Sequence, residues 1–317
     1  MEPPTLEDVL AARERVYAHM RPSPLLHHPM LDQWVGRKVW VKHENHNPTG
    51  AFKIRGGLNL VAQLTREERQ RGVIAASTGN HGQSLALACQ LHGVPCRIVV
   101  PVGNNPDKNA AMRAFGAEVV EHGRDFDEAR EHVEGLAARE GWRYAHSANE
   151  PHLLAGVGTY VVEIFDAQPA VDCIVVPVGG GSGAAASVIV RNGIGARTRI
   201  IGVQAQRADA FTRSWRGPVR VTHDRVDTFA EGIATRTTFD LTFSVLKAGL
   251  DDVGTLEEDE LRGGVAAAIR CTHNLAEGAG AAALAAARRL DLPKEAMVVC
   301  VMSGGNADMR TLRHTLA

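Results

Sequence analysis

Four glycine- or asparagine-rich segments hold the residues most capable of chemistry. They are Pro48-Thr-Gly-Ala-Phe-Lys-Ile-Arg-Gly-Gly57, Ser77-Thr-Gly-Asn-His-Gly-Gln83, Gly179-Gly-Gly-Ser-Gly183 and Ser303-Gly-Gly-Asn306. Lys53 follows a Gly-Ala-Phe turn and stands near the start of a predicted helix with mostly apolar early residues. Desolvation and the positive end of a helix both disfavour an ammonium ion, so this amine is a candidate nucleophile for a Schiff base. Position alone favours an ordinary surface lysine; the accompanying motifs reverse that reading.

Gly179 to Gly183 follows an apolar strand and precedes an Ala-rich helix predicted to begin near Ala184. Glycines let backbone N–H groups converge on an anion, and the helix end adds favourable partial charge, so a phosphate is the natural guest. A tight turn with no ligand is the plainer alternative. Gly181, Gly183 and Ala186 also fit a loose GxGxxA dinucleotide pattern. That pattern wants an acid about 20 positions on, at the end of the next strand. Gln204-Ala-Gln206 stands there instead. Ser77 to Gly82 can hold a carboxylate through backbone N–H groups, Thr78 Oγ1 and the Asn80 amide, although Ser, Thr and Asn are also routine helix caps. His43-x-x-His46 lacks a third ligand at suitable spacing, and no metal site is expected.

The elements that must position these loops alternate. A helix is predicted from Thr5, followed by extended chain enforced by Pro22, Pro24 and Pro29. Lys38-Val-Trp-Val-Lys42 alternates as a half-buried strand does, and Phe52 to Leu64 carries Ile54, Leu58 and Val61 on one helical face. Strands are predicted at 72–77, 96–101, 118–121, 172–177, 199–204 and 297–302. Helices are predicted at 84–91, 108–115, 125–139, 261–274 and 278–290. Apolar, β-branched strands alternating with helices indicate an α/β fold: two doubly wound domains with mainly parallel sheets and a cleft between them. The division expected is 1–54 plus 146–317 as a large domain and 55–145 as a small one.

The 317 residues suffice for two such domains, and acids (36) and bases (35) nearly balance, leaving no electrostatic case for nucleic acid or an anionic membrane. Five cysteines without a CxxC pair read as buried thiols of a reducing compartment. The N-terminus carries no signal-like segment and no apolar run is long enough to span a bilayer, so a cytoplasmic protein is expected.

Taken together the four motifs resemble the fold-type II pyridoxal-phosphate enzymes, in the threonine/serine dehydratase and serine racemase branch. The likeness runs from Pro22-Ser-Pro-Leu25 to Ser303-Gly-Gly-Asn306, specific for the family and much less so for the substrate. It implies pyridoxal 5′-phosphate in the cleft, held as an internal aldimine on Lys53 with Phe52 packed beside the ring. It places Asn80 on the ring O3′, Gly179, Gly180, Gly181, Ser182 and Gly183 around the phosphate, Ser303 on the pyridine nitrogen and Glu277 near the ring. Ser77, Thr78, Gly79, Asn80 and His81 would grip the substrate carboxylate.

The implied reaction is loss of water from a β-hydroxy L-amino acid such as threonine or serine, giving a 2-oxo acid and ammonia. Bulkier or acidic substrates (3-phenylserine, 3-hydroxyaspartate), racemisation, β-replacement and, outside the class, a nucleotide-binding oxidoreductase are the alternatives. A serine at the ring nitrogen is a weak acid, which suits prompt elimination. Thr78 stands where racemases carry serine, Ala51 where a serine is more usual, and Ala148 where relatives often have asparagine, leaving Asn149 as its substitute. Gln204, Ala208 and Ala210 fill the places of a divalent-cation site in some relatives. With little chain after Ser303, no appended regulatory domain is expected. A homodimer is the expected assembly. Phe211, Trp215 and Phe229 are candidate linings of the substrate pocket.

Overall fold

The computed structural model describes residues 1–316. Thr5 opens α1 (Leu6–Tyr17) with a capping box: its Oγ1 accepts from Asp8 N at 3.3 Å, and Asp8 Oδ2 accepts from Thr5 N at 2.8 Å. β1 (Leu25–His27) continues the extended proline segment. Pro29, expected to prolong it, is instead the first residue of α2 (Pro29–Val35), where its missing N–H forfeits no helical bond. β2 (Val39–His43) and a 3₁₀ turn at Glu44–His46 lead to α3 (Lys53–Ala62).

Then come α4 (Arg66–Arg71), β3 (Val73–Ala76), α5 (Asn80–His92), β4 (Cys96–Val100), α6 (Pro106–Ala114), β5 (Glu118–Glu121), α7 (Phe126–Glu140) and β6 (Arg143–Tyr144). α8 (Pro151–Ala167), which periodicity does not reveal, precedes β7 (Cys173–Pro177), α9 (Ser182–Ile194) and β8 (Arg199–Ala205). The chain closes with α10 (Ala210–Arg216), α11 (Asp240–Gly249), β9 (Asp252–Leu256), α12 (Glu258–Thr272), α13 (Gly278–Ala287), β10 (Val298–Met302) and α14 (Met309–Leu316).

The strands form two sheets, β1-β2-β10-β7-β8-β9 and β5-β4-β3-β6, parallel throughout except for the β1–β2 pair. In the larger sheet the side chains alternate between two cores, as a two-residue period requires. Cys173 and Val175 of β7 and Val298, Cys300 and Met302 of β10 face the core built with α2, α12 and α13. Ile174, Val176, Val299 and Val301 face the core shared with α1, α8, α9 and α11. A sheet covered on both faces explains why its central strands β7 and β10 are apolar without interruption. The smaller sheet packs Val73, Ala75, Ile98 and Val100 against α3 and α5, and Ile74, Ala76 and Val99 against α7.

Candidate active site

The loops at the C-terminal ends of β3, β7 and β10 meet α3 around a cleft of about 480 Å³. Phe52, Lys53, the segment 77–81, the segment 179–183, Glu277 and Ser303 all line it. Residues up to 251 positions apart, Phe52 and Ser303, are joined directly: Phe52 N donates to Ser303 O at 3.0 Å, and Ala51 bridges Gly304 next to it. This ties the start of α3, and therefore Lys53, to the end of β10.

Lys53 is the first residue of α3. Ser84 Oγ donates to its carbonyl at 2.6 Å, and two residues on lies Arg55, with no exposed surface. The Arg55 guanidinium bonds Glu44 through Nε (2.7 Å) and Nη2 (2.9 Å), Glu163 through Nη1 (2.6 Å) and Nη2 (2.9 Å), and Thr159 Oγ1 at 3.0 Å. Lys42 completes a cluster of two cations and two carboxylates by pairing with Glu163. Such a cluster is tolerated in a protein interior only when every charge is partnered, and here the planar fork of Arg55 meets both acids. It nails α3 to α8 and to the end of β2. Close approach is possible because position 156 is glycine: a Cβ there would sit 2.3 Å from the Arg55 carbonyl oxygen.

Lys53 Nζ donates to Ser182 Oγ at 2.8 Å and to Ser147 O at 3.0 Å. Burial lowers its pKa from 10.5 to about 8, because no carboxylate is placed to stabilise the ammonium. The amine therefore faces the glycine loop directly. Gly181 takes φ +85°, and α9 begins at Ser182 rather than near Ala184. Thr242 Oγ1 donates to Gly180 O at 2.7 Å, which anchors the loop, and among the described residues the loop amides of 179–183 have no protein acceptor. Consecutive glycine amides at a helix N-terminus, with a poorly basic lysine beside them, fit a phosphorylated aldehyde.

The opposite wall is the 77–81 segment. α5 begins at Asn80, four residues before the predicted start, so Asn80 and His81 sit in its first turn. Ser77 Oγ accepts from Gly79 N (3.0 Å) and Gly82 N (2.8 Å), which consumes two loop amides internally. Among the described residues the N–H groups of Thr78, Asn80 and His81 have no protein acceptor and remain for a ligand carboxylate. His81 contributes through its backbone only. Its Nε2 lies 2.9 Å from Ala145 O and must donate to it, so buried Nδ1 carries a lone pair that repels an anion. Burial, with Lys53 nearby, pulls the His81 pKa down to about 3, so the ring stays neutral.

Glu277 Oε1 accepts from Asn80 Nδ2 at 2.5 Å, and Lys108 Nζ lies 3.7 Å from Oε2 and 2.5 Å from Glu231. Burial raises the Glu277 pKa, while Lys108 and Asn80 oppose the rise. The Ser303 hydroxyl has one distant partner, Ala279 O at 3.5 Å, and is free to turn toward a ligand.

Some sequence expectations fall elsewhere. Asn149 does not substitute in the cleft: its Oδ1 accepts from Leu241 N at 3.0 Å at the start of α11, while Ala148 packs behind Gly180. Phe211 and Trp215 pack in the α1/α8/α9 core and Phe229 against the α12/α13 core, so none of them lines the cleft. Phe126, Val226 and Phe239 take that place, with Arg225 and Arg236 near them. Lys108, Glu231 and Arg236 also escape sequence reasoning, since each is an ordinary charged residue without a motif. Gln204 is fully buried and spends its carbonyl on Thr212 N (2.9 Å) and Oγ1 (3.0 Å). No cluster of three metal-ligating side chains exists among the described residues.

Comparison with known proteins agrees with this geometry. The family model for pyridoxal-phosphate dependent enzymes matches residues 16–304, and the chain belongs to that family. It is 36% identical to the L-threonine ammonia-lyase of Thermotoga maritima over 312 residues, covering 97% of this chain and 77% of that one. It is 32% identical to the catabolic L-threonine dehydratase of Escherichia coli K12, covering 97% and 94%. The processed threonine deaminase isoform 2 of Solanum lycopersicum superposes with a TM-score of 0.91 at 31% identity, covering 99% of this chain and 90% of that one.

Proposed function

We propose that the protein is a pyridoxal-phosphate-dependent ammonia-lyase that dehydrates and deaminates a β-hydroxy L-amino acid of the threonine or serine type. The observation that carries this reading is Lys53: a desolvated amine hydrogen-bonded to the glycine loop on one side of a cleft whose other side presents free backbone N–H groups. When bound, pyridoxal phosphate supplies the electron sink for charge left at the substrate Cα.

The chain's own residues do the rest. The amides of 179–183 would hold the phosphate, and Lys53 would be the residue that carries the aldehyde. Lys53, its pKa lowered to about 8 by burial, would accept the substrate Cα proton and return it near neutrality. The N–H groups of Thr78, Asn80 and His81, with Thr78 Oγ1, bind and orient the carboxylate. Phe52 would lie beside the ring, Asn80 would donate to its phenolic oxygen, and Ser303 would face the ring nitrogen with a hydroxyl too weakly acidic to protonate it. Glu277, held by Asn80 and near Lys108, would stand at the ring's edge.

The reading extends to the cytoplasm, supported by five cysteines that are all free and buried, as reduced thiols are, and to a homodimer, the commonest assembly of soluble oligomers. No helix among the described residues is long and apolar enough to cross a membrane.

The test is the visible spectrum of the purified protein with L-threonine, L-serine or L-threo-3-phenylserine added. A yellow band that changes with one of them, with 2-oxo acid formed, selects the substrate. A band that responds to none rejects the substrate class, and a protein that stays colourless with pyridoxal phosphate rejects the reading as a whole.

A further inference from the structure

Asn306 closes the fourth motif but does not line the cleft; it stands behind Asn80. Its Nδ2 donates to Thr49 O at 2.8 Å and to Asn80 Oδ1 at 2.7 Å. A backbone carbonyl can only accept, so Thr49 dictates which end of the Asn306 amide faces it. The same Nδ2 then reaches Asn80, so Asn80 must turn its oxygen backward. On the other side Asn80 Nδ2 donates to Glu277 Oε1 at 2.5 Å, and Lys108 Nζ lies 3.7 Å from the second carboxylate oxygen. The Asn80 amide is thus oriented from behind by Asn306, whose own orientation the Thr49 carbonyl fixes, and its Nδ2 is left to meet Glu277. One Asn80 N–H goes to Glu277; the second has no protein acceptor among the described residues.

The seat of Asn306 is itself built into the chain. Gly50 adopts φ +66°, and a Cβ there would lie 2.8 Å from Asn306 Oδ1. Glycine at 50 therefore serves two ends: it makes the turn before Lys53, and it leaves room for the amide that orients Asn80.

We propose that Asn306 is a positioning residue for the cofactor: it relays the polarity of the Thr49 carbonyl to Asn80, so that Asn80 offers an N–H, never its oxygen, to the phenolic oxygen of pyridoxal phosphate. This rests on the assignment of Asn80 to that oxygen given above. In Asn306→Asp a carboxylate oxygen faces Asn80 Oδ1. Asn80 relieves the repulsion by flipping, which turns its oxygen toward both Glu277 and the cofactor. The hydrogen bond that stabilises the phenolate is then lost.

The experiment measures the visible spectrum of the holoenzyme and the dissociation constant of pyridoxal phosphate for wild type, Asn306→Asp, Asn306→Ser, Asn80→Ala and the double variant Asn80→Ala/Asn306→Asp. Asn306→Asp is expected to move the visible band to shorter wavelength and weaken cofactor binding about tenfold, the size of one charge-assisted hydrogen bond. Asn306→Ser, which keeps a donor for Asn80, should stay within about threefold of wild type. In the Asn80→Ala background Asn306→Asp should change neither the band nor, beyond about twofold, the affinity, because there is no amide left to turn. A wild-type spectrum and affinity in Asn306→Asp overturns the proposal, as does a full additive effect in the Asn80→Ala background. If Asn306→Asp does not yield folded protein, Asn306→Ala is carried through the same cycle with the same two criteria. A wild-type protein that takes up no cofactor defeats the functional reading instead, and is seen before any variant is made.

Discussion

Lys53 owes its reactivity to what surrounds it, not to its type. A lysine with an exposed ammonium would titrate near 10.5; burial with no carboxylate partner brings this one to about 8. The neutral amine is the attacking form. The rate at which cofactor-free protein takes up pyridoxal phosphate should therefore rise roughly tenfold per pH unit up to about 8 and level off above it. A rate still climbing steeply at pH 9 would show the amine to be of ordinary basicity. The sequence disclosed Lys53 and the glycine loops because turn-forming residues at fixed offsets are local signals. It did not disclose the chain from Thr49 through Asn306 and Asn80 to Glu277, whose members stand as much as 257 positions apart.

At the scale of elements, α3 is held by charge as much as by apolar packing. Arg55 to alanine would strand Glu44 and Glu163 with Lys42 as their remaining cation. Removing one member of a buried, fully paired cluster costs about 3–5 kcal/mol. Denaturant unfolding followed by far-UV circular dichroism should show that loss, and Arg55→Lys should recover little of it, since an ammonium cannot fork between two carboxylates. A change under about 1 kcal/mol in Arg55→Ala would mean that the cluster is replaceable by repacking.

The strands β3, β4, β7, β8 and β10 were legible because short β-branched apolar runs bounded by turn residues suit a doubly covered sheet. α8 was not legible. Its residues from Leu153 to Phe165 are all buried, so it carries no polar face and no helical period to read. β9, with Gly254 and Thr255 at a sheet edge, was equally silent. The start of α5 was misplaced because its first turn is spent on Asn80, His81 and Gly82, which resemble a loop in type.

At the scale of the molecule, polar contacts span the cleft. Lys108 on α6 pairs with Glu231 at 2.5 Å, Arg236 Nε with Asp127 at 2.9 Å, and Asn105 with Asp308 at 2.8 Å. We propose the division 1–54 plus 146–317 and 55–145 as the two parts joined by these contacts, with the cut inside α3, where Arg55 ties both together. Arg236 lines the cleft and pairs across it with Asp127. Arg236→Ala should raise KM for the amino acid by about two- to fivefold with kcat nearly unchanged, the scale of a partly exposed ion pair. A tenfold fall in kcat at constant KM would place Arg236 in the chemistry itself.

The sequence by itself determined the α/β class, the parallel sheets and the four loops, since each follows from local periodicity or from backbone freedom at glycine. Only the tertiary structure decided which amides stay free, which end of Asn80 faces the cleft and which side chains line it. Those depend on partners brought together across two sheets, and a chain carries no local record of its distant neighbours.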